Sequence, residues 1–417
     1  MKVLWVCNVP IPNASLAFDK RIVPYGGWLI QVYNRLLSNN SIQITYAFPD
    51  KISNVERKDN FIRFPELTGR GNITENEIES MYQVIQETAP DVLHIFGTEM
   101  RHSLAVAYAF SKPKSTIVNI QGVISEIASR YCTGIPVIEQ IIPTLAEVLL
   151  RTGNLKAQQR AMAERGELEI ELLQYVKTVI GRTKFDHDFS LKVNPDINYL
   201  NCNETLRDEY YLGKLWNYNK SEKHSIFISQ ASYPIKGFHY FLKALVMIKR
   251  KYPDVKVYVA GDRLDAETLK NKILKSSYQR YIRRLLLRHG LNKNVVFLGR
   301  LSSKEMLERY INANVSVLCS STENSPNSLG EAMILGVPVI ASNVGGVPDM
   351  LSSADEEMYV FDDSYELARK INCIFEKKDK TMLDRDNRIV KAKRLFDLNQ
   401  NTKNFLDAYN TVFNKHM

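Results

Sequence analysis

The chain has 417 residues, of which 45% are hydrophobic and 24% charged, and its formal net charge is +9. That length exceeds one ordinary core, so two domains of about 200 residues each are expected. The five cysteines are scattered and form no C-x-x-C pair, which argues against a disulfide framework or a zinc site and favours reduced thiols in a cytosol. The apolar run in residues 1–10 is too short for a signal peptide. No stretch approaches the roughly 18 apolar residues of a membrane span.

The positive charge lies in the second half of the chain. Residues 1–215 carry a net charge of −1 and residues 216–417 carry +10. A basic half suits a nucleotide diphosphate or an anionic membrane surface as well as nucleic acid. No zinc knuckle, basic zipper or RNP-like motif accompanies it, so we expect no nucleic-acid partner. A basic cluster on one helical stretch is expected on a solvated face: Lys270, Lys272, Lys275, Arg280, Arg283, Arg284 and Arg288.

Short apolar segments alternate with helix-period segments through the first half. The predicted strands are Val3–Val6, Ile42–Ala47, Val92–Phe96, Thr116–Ile120, Thr178–Gly181 and Ile197–Leu200. The predicted helices include Trp28–Leu37, Glu75–Thr88 and Ser103–Phe110. This alternation predicts an α/β domain with a parallel sheet and helices on both faces.

Polar residues and glycines follow several of these strands. Gly26 and Gly27 open a helix after a long first loop, which predicts close backbone approach to the phosphates or sugar of a ligand, or else a simple turn. Glu99 and His102 lie beyond the strand Val92–Phe96, where open α/β sheets bind ligands. A lone histidine is more often structural than functional, so both interpretations stay open for His102. His94, inside that strand, is expected to be buried.

Two further features of the first half each allow two interpretations. Arg182 ends the strand Thr178–Gly181 and is a candidate for binding phosphate or the acceptor. The segment Ile135–Leu150 is apolar and is interrupted by Pro136 and Pro143. Core packing is the favoured interpretation of this segment, and an interfacial helix that contacts a membrane is the alternative.

The second half restarts after a polar linker and repeats the same alternation. We place the boundary between a first domain, 1–218, and a second domain, 219–395, with a tail helix, 396–417, that packs on the first. The predicted strands are Ser225–Ser229, Val255–Ala260, Val295–Leu298, Val315–Cys319 and Val337–Ala341. Gly299 and Arg300, which follow one of these strands, are expected to lie against a nucleotide base through their backbone.

The stretch from Val315 to Pro348 contains the residues of the second domain that point most directly to a ligand. Glu323 lies in a loop, and Glu331 lies in the first turn of a helix that starts near Ser328. A helix N-terminus presents unpaired N–H groups that suit a phosphate, and carboxylates accept hydrogen bonds from hydroxyls. Together they suggest a sugar nucleotide. The alternative is a capping box, in which Glu331 merely fixes the helix start at Ser328.

The same stretch resembles the E-x7-E segment of retaining glycosyltransferases of family 4. It reads Glu323-Asn-Ser-Pro-Asn-Ser-Leu-Gly-Glu331, followed by Gly-Val-Pro-Val-Ile-Ala and a Gly-Gly-Val-Pro turn. The segments GRTKFDHD, at 181–188, and CNETLRDEYY, at 202–211, together resemble one bacterial, polysaccharide-type branch of that family. The resemblance implies the GT-B fold, in which two Rossmann-like domains face each other across a cleft and a C-terminal helix crosses back to the first domain. It implies that Glu323 faces the donor sugar and that Glu331 binds the ribose hydroxyls.

The resemblance also assigns roles to other positions. It implies that Lys236 binds the donor diphosphate and that His102 lies near the transferred sugar. The backbone that would hold the diphosphate is that of Asn327, Ser328, Leu329 and Gly330. The chain departs from the family pattern at Gln230 and Ala231, where the family has a Gly-Arg pair. Arg182 or the helix N-terminus would have to replace the missing arginine.

We therefore predict a retaining, metal-independent glycosyltransferase that needs no cofactor. Its donor would be a UDP- or GDP-type sugar and its acceptor a glycan or lipid-linked molecule, in surface polysaccharide or glycoconjugate synthesis. The expected location is cytoplasmic, with room for peripheral contact with the inner membrane face through the first domain. The alternatives are a sugar-nucleotide epimerase of the same fold and a non-catalytic sugar-nucleotide-binding partner of a glycan-assembly complex. Two D-x-D pairs, at 186–188 and 384–386, keep a metal site as a weaker hypothesis.

Overall fold

The computed structural model describes residues 1–21, 27–264, 276–351, 357–376 and 378–414, and it divides into two compact units. The first unit comprises 1–125, 162–207 and 396–417. The second unit comprises 126–161 and 208–395. The segment 126–161, which sequence reasoning placed in the first domain, therefore belongs to the second unit.

The first unit is built on a sheet of eight strands in the order β3-β4-β2-β1-β5-β6-β7-β8. All neighbours pair in parallel except β3 and β4, which are antiparallel. The strands are β1 Lys2–Cys7, β2 Gln43–Asp50, β3 Glu56–Lys58, β4 Phe61–Pro65, β5 Val92–Phe96, β6 Thr116–Asn119, β7 Thr178–Gly181 and β8 Asn198–Asn201. The six predicted strands are confirmed, and β3 and β4 are additions to them.

Helices cover the sheet of the first unit. They are α1 Pro12–Ala17, α2 Gly27–Leu37, α3 Glu75–Thr88, α4 Arg101–Phe110, most of α8 Leu155–Tyr175, α9 Lys184–Val193 and α17 Leu398–Asn414. Helix α5, Ile124–Arg130, begins at the border with the second unit. A 3₁₀ turn, Pro113–Ser115, precedes β6.

The last helix completes the core around the central strand. Trp5 of β1 is fully buried, and its indole Nε1 donates to the hydroxyl of Tyr409 in α17 over 2.8 Å. The same hydroxyl lies 2.7 Å from Nδ1 of His94. His94 is fully buried in β5, as predicted, and burial lowers its pKa to about 3. A histidine that stays neutral can belong to an apolar core.

The second unit is built on a parallel sheet of six strands in the order β11-β10-β9-β12-β13-β14. The strands are β9 Ser225–Ile228, β10 Lys256–Ala260, β11 Val295–Gly299, β12 Val315–Leu318, β13 Val339–Ser342 and β14 Met358–Tyr359. The five predicted strands are confirmed. A largely parallel sheet and a wholly parallel sheet, each flanked by helices, give the predicted α/β, Rossmann-like class.

The helices of the second unit include two short ones, α6 Val137–Ile141 and α7 Leu145–Leu149, that precede β7 in sequence. The bounds of the others are α10 Phe238–Lys251, α11 Ser277–Arg288, α12 Ser303–Asn312, α13 Asn327–Ile334, α14 Val347–Met350, α15 Ser364–Glu376 and α16 Lys378–Leu395. The 3₁₀ turns are Asp208–Tyr211, Tyr218–Lys220 and Pro234–Lys236. Of the predicted basic cluster, Lys270, Lys272 and Lys275 lie outside the described residues, whereas its arginines lie on α11.

The apolar segment 135–150 does not pack into the core. Eight of its large side chains, in α6, α7 and the residues that flank them, are between 45% and 67% exposed. The prediction of core packing is therefore wrong for most of this segment. No helix within the described ranges has both the length and the apolar content to cross a membrane.

Candidate functional site

A polar loop connects β12 to α13 in the second unit and carries Glu323. The loop begins where a buried parallel strand ends, so its backbone lies at the carboxyl edge of the sheet. The hydroxyl of Ser320 donates to Glu323 Oε1 over 2.6 Å. The side chain of Glu323 is 11% exposed. The carboxylate is therefore held in a fixed position close to the first turn of α13.

Helix α13 begins at Asn327, and its N-cap residue is Pro326. Proline has no side-chain acceptor, so this N-cap residue makes no side-chain hydrogen bond to the helix start. Ser328 lies inside the helix, where its carbonyl accepts from the hydroxyl of Tyr310 over 2.9 Å. The alternative capping box between Ser328 and Glu331 is therefore wrong. Glu331 is only 5% exposed within the helix.

Lys236 forms an ion pair with Glu323. Its Nζ donates to Glu323 Oε1 over 2.5 Å, and its side chain is 16% exposed. It also lies 5.6 Å from the centre of the Tyr233 ring. Burial alone would lower the pKa of Lys236, but the charge of Glu323 and the contribution of Tyr233 outweigh burial and raise that pKa. The ammonium is therefore charged at neutral pH.

Two glycines allow the backbone segments of this site to approach closely. Gly237 has φ +66°, and a Cβ atom there would lie 1.8 Å from the carbonyl oxygen of Cys319. Gly345 has φ +52°, and a Cβ atom there would lie 1.9 Å from the carbonyl oxygen of Glu323. The amide of Gly346 donates to that same carbonyl over 3.1 Å. Each glycine thus places a neighbouring loop directly against the segment that carries Glu323.

The loop after β9 departs at Gln230 and Ala231 from the pattern of the family that the sequence resembles, and hydrogen bonds of the Gln230 side chain hold this loop in place. Gln230 Oε1 accepts from the amides of Ala231 and Ser232 over 3.0 and 3.1 Å, and from the Ser232 hydroxyl over 2.7 Å. Ala231 is 1% exposed. A glutamine side chain therefore organises the turn where the family has glycine and arginine.

The strand end at Gly299 carries Arg300 on the surface. Gly299 has φ +79°, and its carbonyl accepts from the amide of Gly261 over 3.0 Å. Arg300 Nε donates to Asp262 Oδ1 over 2.6 Å, and both side chains are more than half exposed. The predicted base contact through the backbone stays a prediction.

The part of the chain that holds Lys236, Glu323 and Glu331 has known relatives. Residues 215–396 match the family model of glycosyl transferases group 1. An uncharacterized glycosyltransferase of Methanocaldococcus jannaschii is 26% identical over 140 residues, which are 34% of this chain and 32% of that protein. The alignments span only 30% to 40% of the length of the curated relatives that the chain matches.

Solved structures resemble the chain over its whole length. Sucrose-phosphate synthase from Thermosynechococcus elongatus has a TM-score of 0.67 at 14% identity, over 100% of both chains. HepE of Anabaena in complex with UDP-glucose has a TM-score of 0.65 at 14% identity, over 99% of this chain and 100% of the other. These likenesses confirm the predicted GT-B fold. The family match adds support for a glycosyltransferase.

Several of the predicted site residues belong to the first unit. His102, in α4, is 5% exposed, and its ring lies 5.4 Å from that of Phe64 in a tilted, edge-on contact. Burial lowers the pKa of His102 to about 4. Within the described ranges, its Nε2 has no hydrogen-bond partner. In this structure His102 is a neutral histidine packed against an aromatic side chain.

Glu99 follows β5 in the same unit. Its Oε2 is buried and has no hydrogen-bond partner among the residues that the structure describes. Burial raises the pKa of Glu99. Gly97, with φ +97°, lets the backbone pass this carboxyl group, because a Cβ atom there would lie 3.1 Å from Oε2. An unsatisfied buried carboxyl oxygen suits a site that receives a hydroxyl.

Arg182 is part of the interior of the first unit. It forms a buried ion pair with Glu204, with Nη1 to Oε1 at 2.6 Å, and its Nη2 donates to the carbonyls of Ile120 and Gln121. A phosphate contact would require this pair to break, so the structure gives Arg182 a structural role. Gly27 is the first residue of α2, and Gly26 lies outside the described residues.

Among the described residues, the aspartates of the D-x-D pairs do not belong to a group of side chains that could bind a metal ion. Asp186 is fully buried and accepts from the amides of Arg182 and Thr183, which makes it a cap of α9. Asp188 is exposed and pairs with Lys184. Within the described ranges, no group of three or more His, Cys, Asp or Glu side chains could hold a metal ion.

Sequence reasoning missed two side chains that shape the site in the second unit. Ser320 fixes the carboxylate of Glu323, and Gln230 organises the loop after β9. Ser320 could have been found, because it lies in the polar run that directly follows β12. Gln230 could not, because glutamine has no strong preference for such turns.

Proposed function

We propose that this protein is a retaining glycosyltransferase that moves a sugar from a nucleotide-diphosphate sugar to a glycan or lipid-linked acceptor without a metal ion. The observation that carries the proposal is the ion pair between Lys236 and Glu323, beside the start of α13. This arrangement lies within the segment that matches group 1 glycosyl transferases. The donor would be a UDP- or GDP-type sugar.

Lys236 would stabilise the leaving group. Cleavage of the bond between sugar and diphosphate builds negative charge on the phosphate oxygen, and a nearby ammonium lowers the energy of that transition state. The raised pKa of Lys236 keeps the ammonium charged. The amides at the start of α13, from Asn327 to Gly330, would bind the diphosphate from the positive end of the helix.

Glu323 would exchange one partner for another when the donor binds. In this structure its Oε1 accepts from both Lys236 and Ser320. A diphosphate that draws Lys236 away would free this carboxylate oxygen for a hydroxyl group of the donor sugar. Glu331 would accept hydrogen bonds from the ribose.

Retention would follow from attack of the acceptor on the face from which the diphosphate leaves. The departing phosphate oxygen would take the proton of the acceptor hydroxyl, so the new sugar bond forms as the bond to phosphate breaks. We place this reaction in the synthesis of a surface polysaccharide or glycoconjugate at the cytoplasmic side.

The first experiment screens UDP- and GDP-sugars by thermal shift and then assays transfer with the donor that binds. Lys236→Ala and Glu331→Ala are each expected to cut transfer more than about tenfold, which corresponds to about 1.4 kcal/mol of barrier. The control is Lys243→Ala, because Lys243 also lies over an aromatic ring, that of Tyr240, but on the exposed face of α10. Wild-type turnover in either site variant would remove that residue from the site.

Further measurements separate the proposal from its alternatives. Proton NMR of the first product formed should show the anomeric configuration of the donor, and the opposite configuration would contradict retention. Formation of an epimer from donor alone would identify an epimerase. Donor binding without transfer to any acceptor would identify a non-catalytic partner. Full activity after chelation of divalent ions is expected.

A further inference from the structure

Helices α6 and α7 and the residues that flank them form an exposed apolar ridge on the second unit. Its members are Val137, Ile138, Ile141, Ile142, Leu145, Val148, Leu149 and Leu150. Their exposed fractions range from 45% for Ile142 to 67% for Val137. Eight large apolar side chains within 14 residues of sequence form a surface patch that soluble monomers rarely leave uncovered.

The acidic residues of this segment point inward, which is the reverse of an ordinary surface helix. Glu139 is 5% exposed and pairs with Arg280 and Arg284 of α11. Glu147 is 3% exposed and accepts from the amide of Ser277 over 2.7 Å. The polar side of the segment is therefore attached to the unit, and the apolar side is turned toward solvent.

Two further contacts fix the ridge in place on the second unit. The hydroxyl of Thr144 accepts from the amide of Glu147, and the Glu147 carboxylate accepts from the amide of Thr144, so a capping box fixes the start of α7. Gly134, with φ +73°, lies against α10, because a Cβ atom there would lie 2.1 Å from the Tyr240 hydroxyl. These contacts present the ridge as a formed surface rather than as an unanchored loop.

The exposed charges next to the ridge in sequence, and on the helix α11 that its Glu139 contacts, are positive. Glu139 and Glu147 are the only acidic residues between 136 and 160, and both are buried. The exposed charged residues of that span are Arg151, Lys156 and Arg160. Residues 276–291, which include α11, contain no acidic residue at all, and Arg284 and Arg288 are exposed there. The exposed surface of these segments is thus apolar and cationic.

We propose that this ridge inserts into the interface of an anionic lipid bilayer. Apolar side chains bordered by arginine and lysine match acyl chains bordered by anionic headgroups. A second copy of the chain fits less well, because a twofold contact through the ridge would bring the same positive surroundings together. The one-turn helices α6 and α7 would lie in the interface without crossing it. This inference is independent of the proposed transfer reaction and places the membrane contact on the second unit.

The test is co-sedimentation of the full-length protein with vesicles. One set is phosphatidylcholine alone, and the other contains about 30% phosphatidylglycerol, at about 0.1 M salt. Binding to the anionic vesicles is expected to exceed binding to the neutral ones by at least about tenfold and to fall as salt is raised.

Two variants separate the apolar and the ionic contributions. Ile138→Gln/Leu145→Gln/Leu149→Gln is expected to weaken binding to anionic vesicles by at least about tenfold. Lys156→Gln/Arg160→Gln/Arg288→Gln should weaken it by about fivefold for each charge removed and flatten its salt dependence. The matched control replaces three exposed apolar residues elsewhere on the same unit, Leu212→Gln/Leu215→Gln/Val390→Gln, and should bind like the wild type.

Several results would overturn the proposal. Equal binding to both vesicle types, or unchanged binding by the ridge variant, would show that the ridge does not meet a membrane. A dimer by light scattering that the ridge variant disperses, without vesicle binding by the wild type, would assign the ridge to a second copy. If the ridge variant does not fold, the charge variant decides the question. Donor binding by each variant, measured without vesicles, should be unchanged, which separates this inference from the proposed reaction.

Discussion

The substitution Gly345→Ala should disturb stability and donor binding together. Gly345 has φ +52°, and an added Cβ would lie 1.9 Å from the carbonyl oxygen of Glu323, so the backbone of one loop must move. The left-handed conformation alone costs an L-residue about 1–2 kcal/mol. The forced displacement adds about 1–3 kcal/mol, as other overpacked sites do. We therefore expect a loss of about 3 kcal/mol in the free energy of unfolding.

Gly213→Ala is the matched control for this prediction. Gly213 has φ +81° and no atom within 4 Å of the position of an added Cβ, so it carries the conformational cost without the clash. It should lose only about 1 kcal/mol. Urea unfolding measures both variants, and calorimetry with the donor measures binding. Donor affinity should fall at least about tenfold in Gly345→Ala and stay unchanged in Gly213→Ala.

Two results would refute this reasoning. Equal destabilisation of both variants would show that the close approach to Glu323 has no energetic consequence. A destabilised Gly345→Ala variant that binds donor normally would show that the position of Glu323 does not matter for the donor.

Two other predictions concern charge. Lys236→Met leaves the buried carboxylate of Glu323 without its cation, so it should lower the free energy of unfolding by about 1–3 kcal/mol. Adding Glu323→Leu should restore most of this loss in a double-mutant cycle. A strictly additive double variant would contradict the pairing. His102, with its pKa lowered from 6.5 to about 4, should resist protonation in the folded state, so the unfolded chain gains protons first as pH falls below 6.5. Stability should therefore drop by about 2 kcal/mol from this group between pH 7.5 and 5, and His102→Leu should show a shallower loss in thermal unfolding across that range. A parallel pH profile in His102→Leu would show that His102 titrates normally.

Much of the fold follows from local pattern. Strands such as β5 and β7 are mostly apolar and buried along their whole length, which is typical of parallel strands covered on both faces. The strand β4 was missed although its burial alternates along Phe61–Pro65, because charged and proline residues interrupt the run. Its partner β3 is exposed along its whole length, so hydrophobic pattern gives no signal for it.

The orientation of the segment 135–150 depended on distant partners. Its apolar content suggested burial, yet most of its large apolar side chains are exposed whereas Glu139 and Glu147 are buried. Their partners, Arg280 and Ser277, lie more than 100 residues further along the chain. The two acids lie in separate one-turn helices, so only the tertiary contacts decide which side of the segment faces the core.

The candidate site was predictable in part for a similar reason. The positions of Glu323 and Lys236 follow from motif and spacing, and the structure brings them into contact. The start of α13 was predicted near Ser328, and the structure places its cap at Pro326, two residues earlier. The burial of Arg182 could not be foreseen, because its partner Glu204 is reached only through the pairing of neighbouring strands.

The order in which the chain visits its two units affects how it can fold during synthesis. The first unit needs the stretches 1–125 and 162–207 and also α17, whose Tyr409 hydroxyl meets Trp5 and His94. A ribosome must therefore release the chain through α17 before the core around Trp5 can close. Until then its aromatic walls would be exposed to chaperones and proteases. A nascent chain stalled near residue 395 should consequently be protease-sensitive in its early part and protected across 208–395.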